Sequence, residues 1–345
     1  MSTITAAFND ESAAHESAQA ESQTRPKRQG QITGLILGLL AASAWLSFAA
    51  ITYYLPDEGD FGRGPELAIF SAALASLLVL ASLGGLLNRA FANRARRFLP
   101  WSLALGLFFI VWQVFSAKTG ILPQPFFPPP HALLEVFTDD YARLFQSVAA
   151  SLKLELLGFA FGASFGFLIG VGLGWSRTFG YWVHPVMRFI GPLPSIAWLP
   201  IAFFAFPSSW SASIFLIGLT TGFPVAVLTW SGVASVNTAY YDVARTLGAN
   251  QRFLVLKVAI PAALPHVFVG LFMGLGASFA VLVTAEMMGV KAGLGFYLQW
   301  AQGWAAYANM YAALVVMALM CSGLITLLFK VRDRVLSYQK GDVKW

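Results

Sequence analysis

Long apolar runs without a charged side chain dominate the chain, and they cover residues 29–56, 67–88, 98–117, 156–176, 189–241, 258–285 and 292–329. A helix needs about 20 apolar residues to cross the hydrocarbon core of a bilayer. The run 189–241 is long enough for two crossings, separated near Pro207. Backbone groups in lipid must bond to one another, and the period-two alternation of an outer-membrane barrel is absent, so the pattern predicts helices. We expect an all-α polytopic membrane protein with about eight transmembrane helices, near 32–55, 66–88, 99–117, 147–175, 183–206, 212–235, 262–288 and 307–330.

Composition and charge agree with a membrane protein and give its orientation. Hydrophobic residues make up 57% of the chain, charged residues 11%, and the mean hydropathy is +0.67. Most of the 22 Lys and Arg residues fall in alternate connections. Because such residues concentrate on the cytoplasmic side, the N-terminus and the segment 240–261 are expected inside. We expect a multi-pass protein of the bacterial cytoplasmic (inner) membrane, whose net charge of +6 requires no nucleic-acid partner.

Four regions are expected along the chain. Residues 1–30 contain few large apolar residues and predict a disordered cytoplasmic tail. Residues 31–97 form an N-terminal transmembrane hairpin whose role the sequence does not reveal. Residues 98–331 hold the remaining six helices, and 332–345 form a cytoplasmic tail.

A polar, basic segment interrupts the apolar pattern at residues 240–261. Asp242 is followed by Ala244, by Gly248 six positions after the acid, and then by Ile260 and Pro261. This spacing resembles the cytoplasmic coupling loop of ABC importer permeases, with aspartate in place of glutamate and Val243 in place of the first alanine. Aspartate keeps the negative charge that favours a helix start. The resemblance implies docking on an ATPase subunit through Asp242, Ala244, Arg245, Gly248, Ala249, Arg252 and Pro261.

Further motifs follow in the order found in that family, namely Gly191–Pro200, Gly222–Pro224, Pro261–Pro265, Ala285–Gly289 and Gly293–Phe296. Together they resemble the binding-protein-dependent permeases for nitrate, sulfonates and taurine, over about residues 125–340. The resemblance implies a six-helix type I importer core in residues 98–331.

The same resemblance implies partners and a mechanism. Two ATPase subunits would bind on the cytoplasmic side, and an extracytoplasmic solute-binding protein would deliver the solute. A second permease, which is either another copy of this chain (the favoured alternative) or a homologue, would complete the path within membrane lipid. Closure of the ATPases on ATP would move the coupling helices and turn the cavity outward. The expected function is the permease subunit of an ATP-driven importer for a small anion of the nitrate, sulfonate or taurine class. The sequence does not identify the solute.

Catalytic chemistry is not expected in this chain. The sequence contains no Gly-Lys pair, so it has no phosphate-binding loop of the Gly-x-x-x-x-Gly-Lys type. The four histidines lack metal-ligand spacing, and Cys321 is the single cysteine. We therefore expect no cofactor, no metal site and no catalytic residue, with ATP hydrolysed by a partner subunit.

Polar and aromatic residues within the predicted helices are candidates for the translocation path: Ser195, Trp198, Thr220, Thr221, Thr229, Trp230, Ser278, Thr284 and Glu286. Serine and threonine in apolar helices also bond to their own backbone, so both interpretations stay open. Glu286 has either a functional role or a structural ion pair with Lys291.

A glycine ladder marks the helix predicted at 147–175, with members at Gly158, Gly162, Gly166, Gly170 and Gly174. Spacing by four puts these residues on one face, where another helix can approach closely. The seam either slides during transport or packs statically.

An ATP-independent secondary transporter or channel is the alternative function. Such proteins usually place ionisable residues inside the membrane for ion coupling. The runs 189–241 and 258–285 contain none, which favours the ATP-driven importer. A membrane enzyme is disfavoured because paired catalytic groups are missing.

Overall fold

The computed structural model describes residues 33–59, 62–87 and 89–338, apart from the side chains of residues 85–96. This part of the chain consists of helices and their connections. The helices are α1 (Thr33–Tyr54), α2 (Gly64–Leu87), α3 (Arg89–Gln113), α4 (Pro130–Asp139), α5 (Tyr141–Trp175), α6 (Arg177–Ile190), α7 (Leu199–Ala205), α8 (Ser209–Ala234), α9 (Thr238–Thr246), α10 (Gln251–Phe253), α11 (Ile260–Met288), α12 (Leu294–Gly303) and α13 (Tyr307–Val335). The tail predicted at 1–30, and residues 339–345 of the tail predicted at 332–345, lie outside the described residues.

The number of membrane spans agrees with the sequence. Seven helices in the described chain are long and apolar enough to cross a membrane, and a bent pair gives an eighth if it counts as one span. That pair replaces the single helix predicted at 183–206. Its two arms, Arg177–Ile190 and Ser195–Ala205, meet at 90°. The bend lies at Pro192 and Pro194, which lack the backbone donor a continuous helix requires and disfavour helical geometry in the preceding residue.

A second difference concerns the segment before the core. The sequence predicted a spanning helix from residue 147. In the structure α4 ends at Asp139 and α5 begins at Tyr141, six residues before the predicted start. The spanning helix α5 is therefore 35 residues long, because it includes polar first turns that precede the charge-free run 156–176.

Helices α1 to α4 form one compact unit, which ends at Asp139. In it, the indole N–H of Trp45 on α1 donates to the carbonyl of Ser102 on α3 over 3.0 Å. The Trp45 ring also packs against Phe109, with 5.6 Å between ring centroids. At the end of α1, Lys118 forms an ion pair with Asp57 at 2.8 Å. The unit thus takes in the helix that the sequence analysis assigned to the core beginning at residue 98.

The second unit begins at Asp140 and is built on contact between α5 and α8. A Cβ atom added to Gly162 would lie 2.3 Å from the carbonyl oxygen of Gly218, and one added to Gly166 would lie 2.3 Å from that of Gly222. Such distances leave no room for a side chain, so the two backbones touch. The structure confirms the predicted close approach on the glycine face.

The order of these contacts gives the direction of the helices. Positions increase together along α5 and α8, from Gly158 opposite Ile217 to Gly174 opposite Val233, so the two helices are parallel. The connection between them must return across the membrane. The bent pair of α6 and residues 195–205 lies in this connection, and counting it as one span gives eight candidate spans among the described residues.

Glycines also allow α11 to pack closely on α8. A Cβ atom at Gly270 would lie 2.9 Å from the Cα of Val225, and one at Gly274 would lie 3.0 Å from the carbonyl oxygen of Thr221. Here the positions run in opposite directions, so α11 is antiparallel to α8. The three helices α5, α8 and α11 are the centre of the second unit.

The glycine seam can be tested with one matched pair of substitutions. Gly162→Ala places a methyl group against the backbone of α8 and should destabilise the protein by about 1–3 kcal/mol through overpacking. Gly276→Ala, in α11, meets no atom within 4 Å and should leave stability unchanged or slightly raised, because alanine favours helix. Thermal unfolding of the purified protein in detergent measures both. Equal midpoints for the two variants would contradict close α5–α8 packing.

Candidate functional site

The segment that resembles a coupling loop forms two short helices joined by a turn. Helix α9 begins after Asn237, whose side-chain oxygen accepts from the backbone N–H of Ala239 over 2.9 Å. Helix α10 begins after Asn250, which accepts from the N–H of Phe253 over 2.9 Å. Asparagine is a preferred residue at this position because it satisfies a free backbone donor. A π-helical turn at Leu254–Ala259 then leads into α11.

Gly248 closes α9 in a left-handed conformation, with φ of +84°. The N–H of Ala249 reaches the carbonyl of Ala244 over 3.0 Å, and the N–H of Gly248 reaches that of Arg245 over 2.9 Å. A Cβ atom at Gly248 would meet no atom within 4 Å. Glycine is therefore required in this chain for its backbone angle and not for a close contact.

One face of α9 is exposed and apolar. Its members Tyr240, Val243 and Leu247 are all exposed, and Leu247 has 82% of its surface accessible. Asp242 and Arg245 lie beside them as an exposed ion pair 3.4 Å apart, and such a pair contributes at most about 1 kcal/mol to folding. Apolar side chains clustered with charges on a surface helix are typical of a protein interface.

Another side of α9 is anchored to the core helices through Tyr241. The ring of Tyr241 packs edge-on against Trp175 at the end of α5, with 5.8 Å between centroids. The same cluster includes Val233 at the end of α8, and Ala259 and Ala263 at the start of α11. Tyr241 therefore connects α9 to the ends of all three central helices.

Two adjoining cavities lie beside the bend between α6 and α7. The larger, of about 820 Å³, is lined by α6 and α8 and is called the α6–α8 cavity here; His184, Arg188 and Trp230 contribute to it. The smaller, of about 180 Å³, is the Ser195 cavity, lined also by Thr220 of α8 and by residues of α11. Both cavities include Gly191 and Phe223 in their walls.

The Phe223 ring is packed on Gly191 at the point where the cavities meet. A Cβ atom at Gly191 would lie 2.4 Å from the tip of that ring. Glycine therefore leaves room for the ring between the two cavities.

Three of the predicted path residues line these cavities, namely Ser195, Thr220 and Trp230. Their hydrogen bonding differs. The Thr220 hydroxyl donates to the carbonyl of Leu216 over 2.8 Å. The Ser195 hydroxyl has no partner among the described residues, so its donor is available to a solute.

The other predicted path residues lie elsewhere, and their role in a path stays a prediction. Thr221 and Thr229 are fully buried in the seams of α8 with its neighbours. Trp198 packs against the core cluster, and Thr284 donates to the carbonyl of Ala280 over 2.8 Å. Ser278 and Glu286 are buried polar residues at the outer part of the core.

Glu286 joins α11 to the N-terminus of α12. Its carboxyl oxygen Oε1 accepts from the Ser151 hydroxyl over 2.7 Å, and Oε2 accepts from the N–H of Gly295 over 2.8 Å. The Ser151 hydroxyl in turn accepts from the N–H of Leu294 over 2.7 Å. Two otherwise free amides of a helix N-terminus are thus satisfied by a buried acid and its serine. The ion pair with Lys291, one of the two sequence-based alternatives, does not form in the described chain.

Glycines make this arrangement sterically possible. Gly293 has φ of +118°, and a Cβ atom there would lie 2.2 Å from Oε1 of Glu286. At Gly295 a Cβ atom would lie 2.6 Å from the carbonyl oxygen of Val283. The motif Gly293–Phe296 therefore provides room for the carboxyl group.

Sequence reasoning missed Glu155, which is fully buried on α5. Its Oε1 contacts the hydroxyl of Ser278, and its Oε2 has no partner among the described residues. A signal was present, because Glu155 follows Ser151 by four positions and precedes Gly158 by three, on the buried face of α5. Glu155 and Glu286 each lie one residue outside a charge-free run, so a search limited to those runs did not include them. The absence of intramembrane acids therefore does not argue against ion coupling here.

Comparison with known proteins identifies relatives of this core. Residues 162–337 match the model of the family described as binding-protein-dependent transport system inner membrane component. The bicarbonate transport system permease protein CmpB of Synechococcus elongatus is 32% identical over 248 residues, covering 67% of this chain and 84% of the relative. The nitrate import permease protein NrtB of the same species is 29% identical, covering 68% and 86%. The taurine transport system permease protein TauC of Escherichia coli is 32% identical, covering 70% and 89%.

The acid–serine contact at α12 can be tested by Ser151→Ala. This change leaves the N–H of Leu294 buried without an acceptor and removes a donor to Glu286, so it should cost about 1–3 kcal/mol. Ser164→Ala is the matched control on the same helix, because Ser164 is exposed and donates only to the carbonyl of Ala160. Thermal unfolding in detergent should show a lower midpoint for Ser151→Ala alone. If Ser164→Ala lowered the midpoint as much as Ser151→Ala, a specific contribution of the Ser151 contact would be contradicted.

Proposed function

The chain belongs to the family of binding-protein-dependent transport system inner membrane components, and from this premise we propose that it carries a small oxyanion of the nitrate, bicarbonate or sulfonate class. As a member of this family it is the permease subunit of an ABC importer, a multi-pass inner-membrane protein that works with ATPase and solute-binding partners and is not itself the catalyst. The solute class is supported by the relatives, which are named for bicarbonate, nitrate and taurine.

The exposed face of α9 is the observation that carries the proposed coupling mechanism. Tyr240, Val243 and Leu247 would enter a cleft on the ATPase, and Asp242 and Arg245 would bond at its rim. Because Tyr241 fixes α9 to the ends of α5, α8 and α11, ATP-driven movement of the docked helix would move the whole core. Alternating access would follow from this rigid link.

The proposed path runs through the α6–α8 cavity and the Ser195 cavity. The free hydroxyl of Ser195 would donate to the anion, and Phe223 would separate the two chambers. Both cavities open to the surface of the single chain. A second copy of this chain is proposed to close that surface, so the working permease would be a homodimer.

The coupling turn can be tested at Gly248. Gly248→Val should disturb the left-handed turn, because a β-branched residue is strongly disfavoured there, and should weaken both ATPase association and uptake. Gly248→Asn is the matched variant and should retain most of both, since asparagine adopts this conformation readily. Co-purification with the ATPase and uptake in proteoliposomes report the two effects. Undiminished ATPase binding by Gly248→Val would contradict this role for the turn.

The path can be tested with the two hydroxyls of the Ser195 cavity. Ser195→Ala removes a donor free to bind an anion, and a hydrogen bond to a charged group contributes about 1.5–3 kcal/mol, so kcat/KM for uptake should fall roughly tenfold or more. Thr220→Val should have a small effect, because that hydroxyl is already bonded to the helix backbone. Uptake of labelled nitrate, bicarbonate and taurine identifies the solute. Equal effects of the two variants would exclude the proposed donor role of Ser195.

A further inference from the structure

A third cavity lies at the end of the core opposite to the coupling segment. Helix α11 starts at that segment and ends at Met288, and the cavity follows directly after it. It has a volume of about 240 Å³ and is called the outer cavity here. It is lined mainly by the first turns of α5, the connection after α11 and helix α12, with Arg143, Gln146, Ser147, Lys291, Gly293 and Trp300 in its wall.

Two cations face the outer cavity without an acidic partner. Neither Arg143 nor Lys291 forms an ion pair or a side-chain hydrogen bond within the described chain. The guanidinium carbon of Arg143 lies 4.5 Å from the ring centroid of Trp300. Stacking on an aromatic ring holds the guanidinium in place and leaves the donors at its edge free. The cavity therefore has a pre-positioned fork of donors and a second positive charge.

Asp140, an acid near this cavity, already accepts a hydrogen bond from a lining residue. Asp140 accepts from the phenol of Tyr297 over 2.6 Å, and the amide of Asn309 donates to that phenol oxygen over 2.6 Å. Burial, together with the hydrogen bond to Asp140, raises the pKa of Tyr297, so the phenol stays protonated and keeps this bond. Asp140 and Glu286 both lie behind the wall and are hydrogen-bonded there, whereas the residues that line the cavity include two cations and no carboxylate.

The part of the cavity wall at Gly293 is held in place by Glu286. Gly293 lines the cavity, and the space a side chain would occupy there is filled by the carboxyl group of Glu286. The bonds from Glu286 and Ser151 to the amides of α12 hold the connection that carries Lys291. These hydrogen bonds therefore fix the region formed by α5, α11 and α12, which carries the two cations.

We propose that the outer cavity binds a small oxyanion before the anion enters the path. This inference rests on the proposed function as a small-anion importer. A guanidinium fork matches the oxygens of a planar or tetrahedral oxyanion, and charge-assisted hydrogen bonds of this kind are strong. A water molecule takes about 30 Å³ in the liquid, so the cavity holds an anion together with several waters.

The test measures anion binding to the purified chain in nanodiscs of zwitterionic lipid. Nitrate, bicarbonate and methanesulfonate are titrated separately by calorimetry against chloride at equal ionic strength. At least one should bind saturably and more tightly than chloride. The double variant Arg143→Gln/Lys291→Gln should weaken that binding at least tenfold. Lys153→Gln is the matched control, since Lys153 is exposed on the same helix and lies by Trp210, outside the cavity.

Three outcomes would overturn the proposal: unchanged binding in the double variant, affinity equal to that for chloride, or no saturable binding. A lipid headgroup is the competing source of an anionic group. In nanodiscs containing phosphatidylglycerol, unchanged oxyanion affinity supports a solute site, and strong competition overturns it in favour of lipid.

The failure of this site can be distinguished from failure of the proposed function. Binding is measured without the ATPase or the solute-binding protein, and the double variant should keep normal ATPase association. In proteoliposomes it should lower uptake most at low concentrations of loaded binding protein. Normal uptake by the double variant would overturn the outer site and leave the importer function intact.

Discussion

Direct backbone contact between α5 and α8 is the constraint on which the core depends. The glycines of the ladder bring the two helices together in parallel, at distances that no other residue allows. Parallel neighbours require the intervening chain to cross the membrane between them. That crossing is bent at Pro192 and Pro194, and the bend opens the cavities lined by Ser195 and Phe223. Small residues in one helix thus determine where these cavities form.

The two ends of the core are held by different interactions. At one end, α9 has an exposed apolar face and is held to the core by aromatic packing at Tyr241. At the other end, the buried carboxyl of Glu286 holds α12, which brings Lys291 and Arg143 to one cavity. Apolar packing is non-directional, whereas hydrogen bonds to a helix terminus fix a geometry.

Features that depend on local spacing could be predicted from sequence, and those that depend on distant contacts could not. Apolar run length predicted the spans, and spacing by four predicted the seam at Gly162. The spacing placed Gly248 in the coupling segment, but only the backbone angle shows that glycine is needed there for its conformation. The spacing of Glu155 from Ser151 and Gly158 indicates its burial, but its partner Ser278 lies 123 positions away, so no local pattern marks the contact. Whether a hydroxyl is free, as at Ser195, depends on helix geometry that spacing does not give.

The contact between Glu155 and Ser278 has a consequence for how the protein is made. A ribosome adds about 5–20 residues per second, so roughly 6–25 s pass between the synthesis of Glu155 and that of Ser278. During this interval α5 carries a carboxyl group without its serine, and a charged residue inside the membrane costs up to about 2.5–3.5 kcal/mol on insertion scales. The buried carboxyl obtains its hydrogen-bond partner only after α11 has been synthesised. The order of helices in the chain therefore delays completion of this contact until the core is nearly complete.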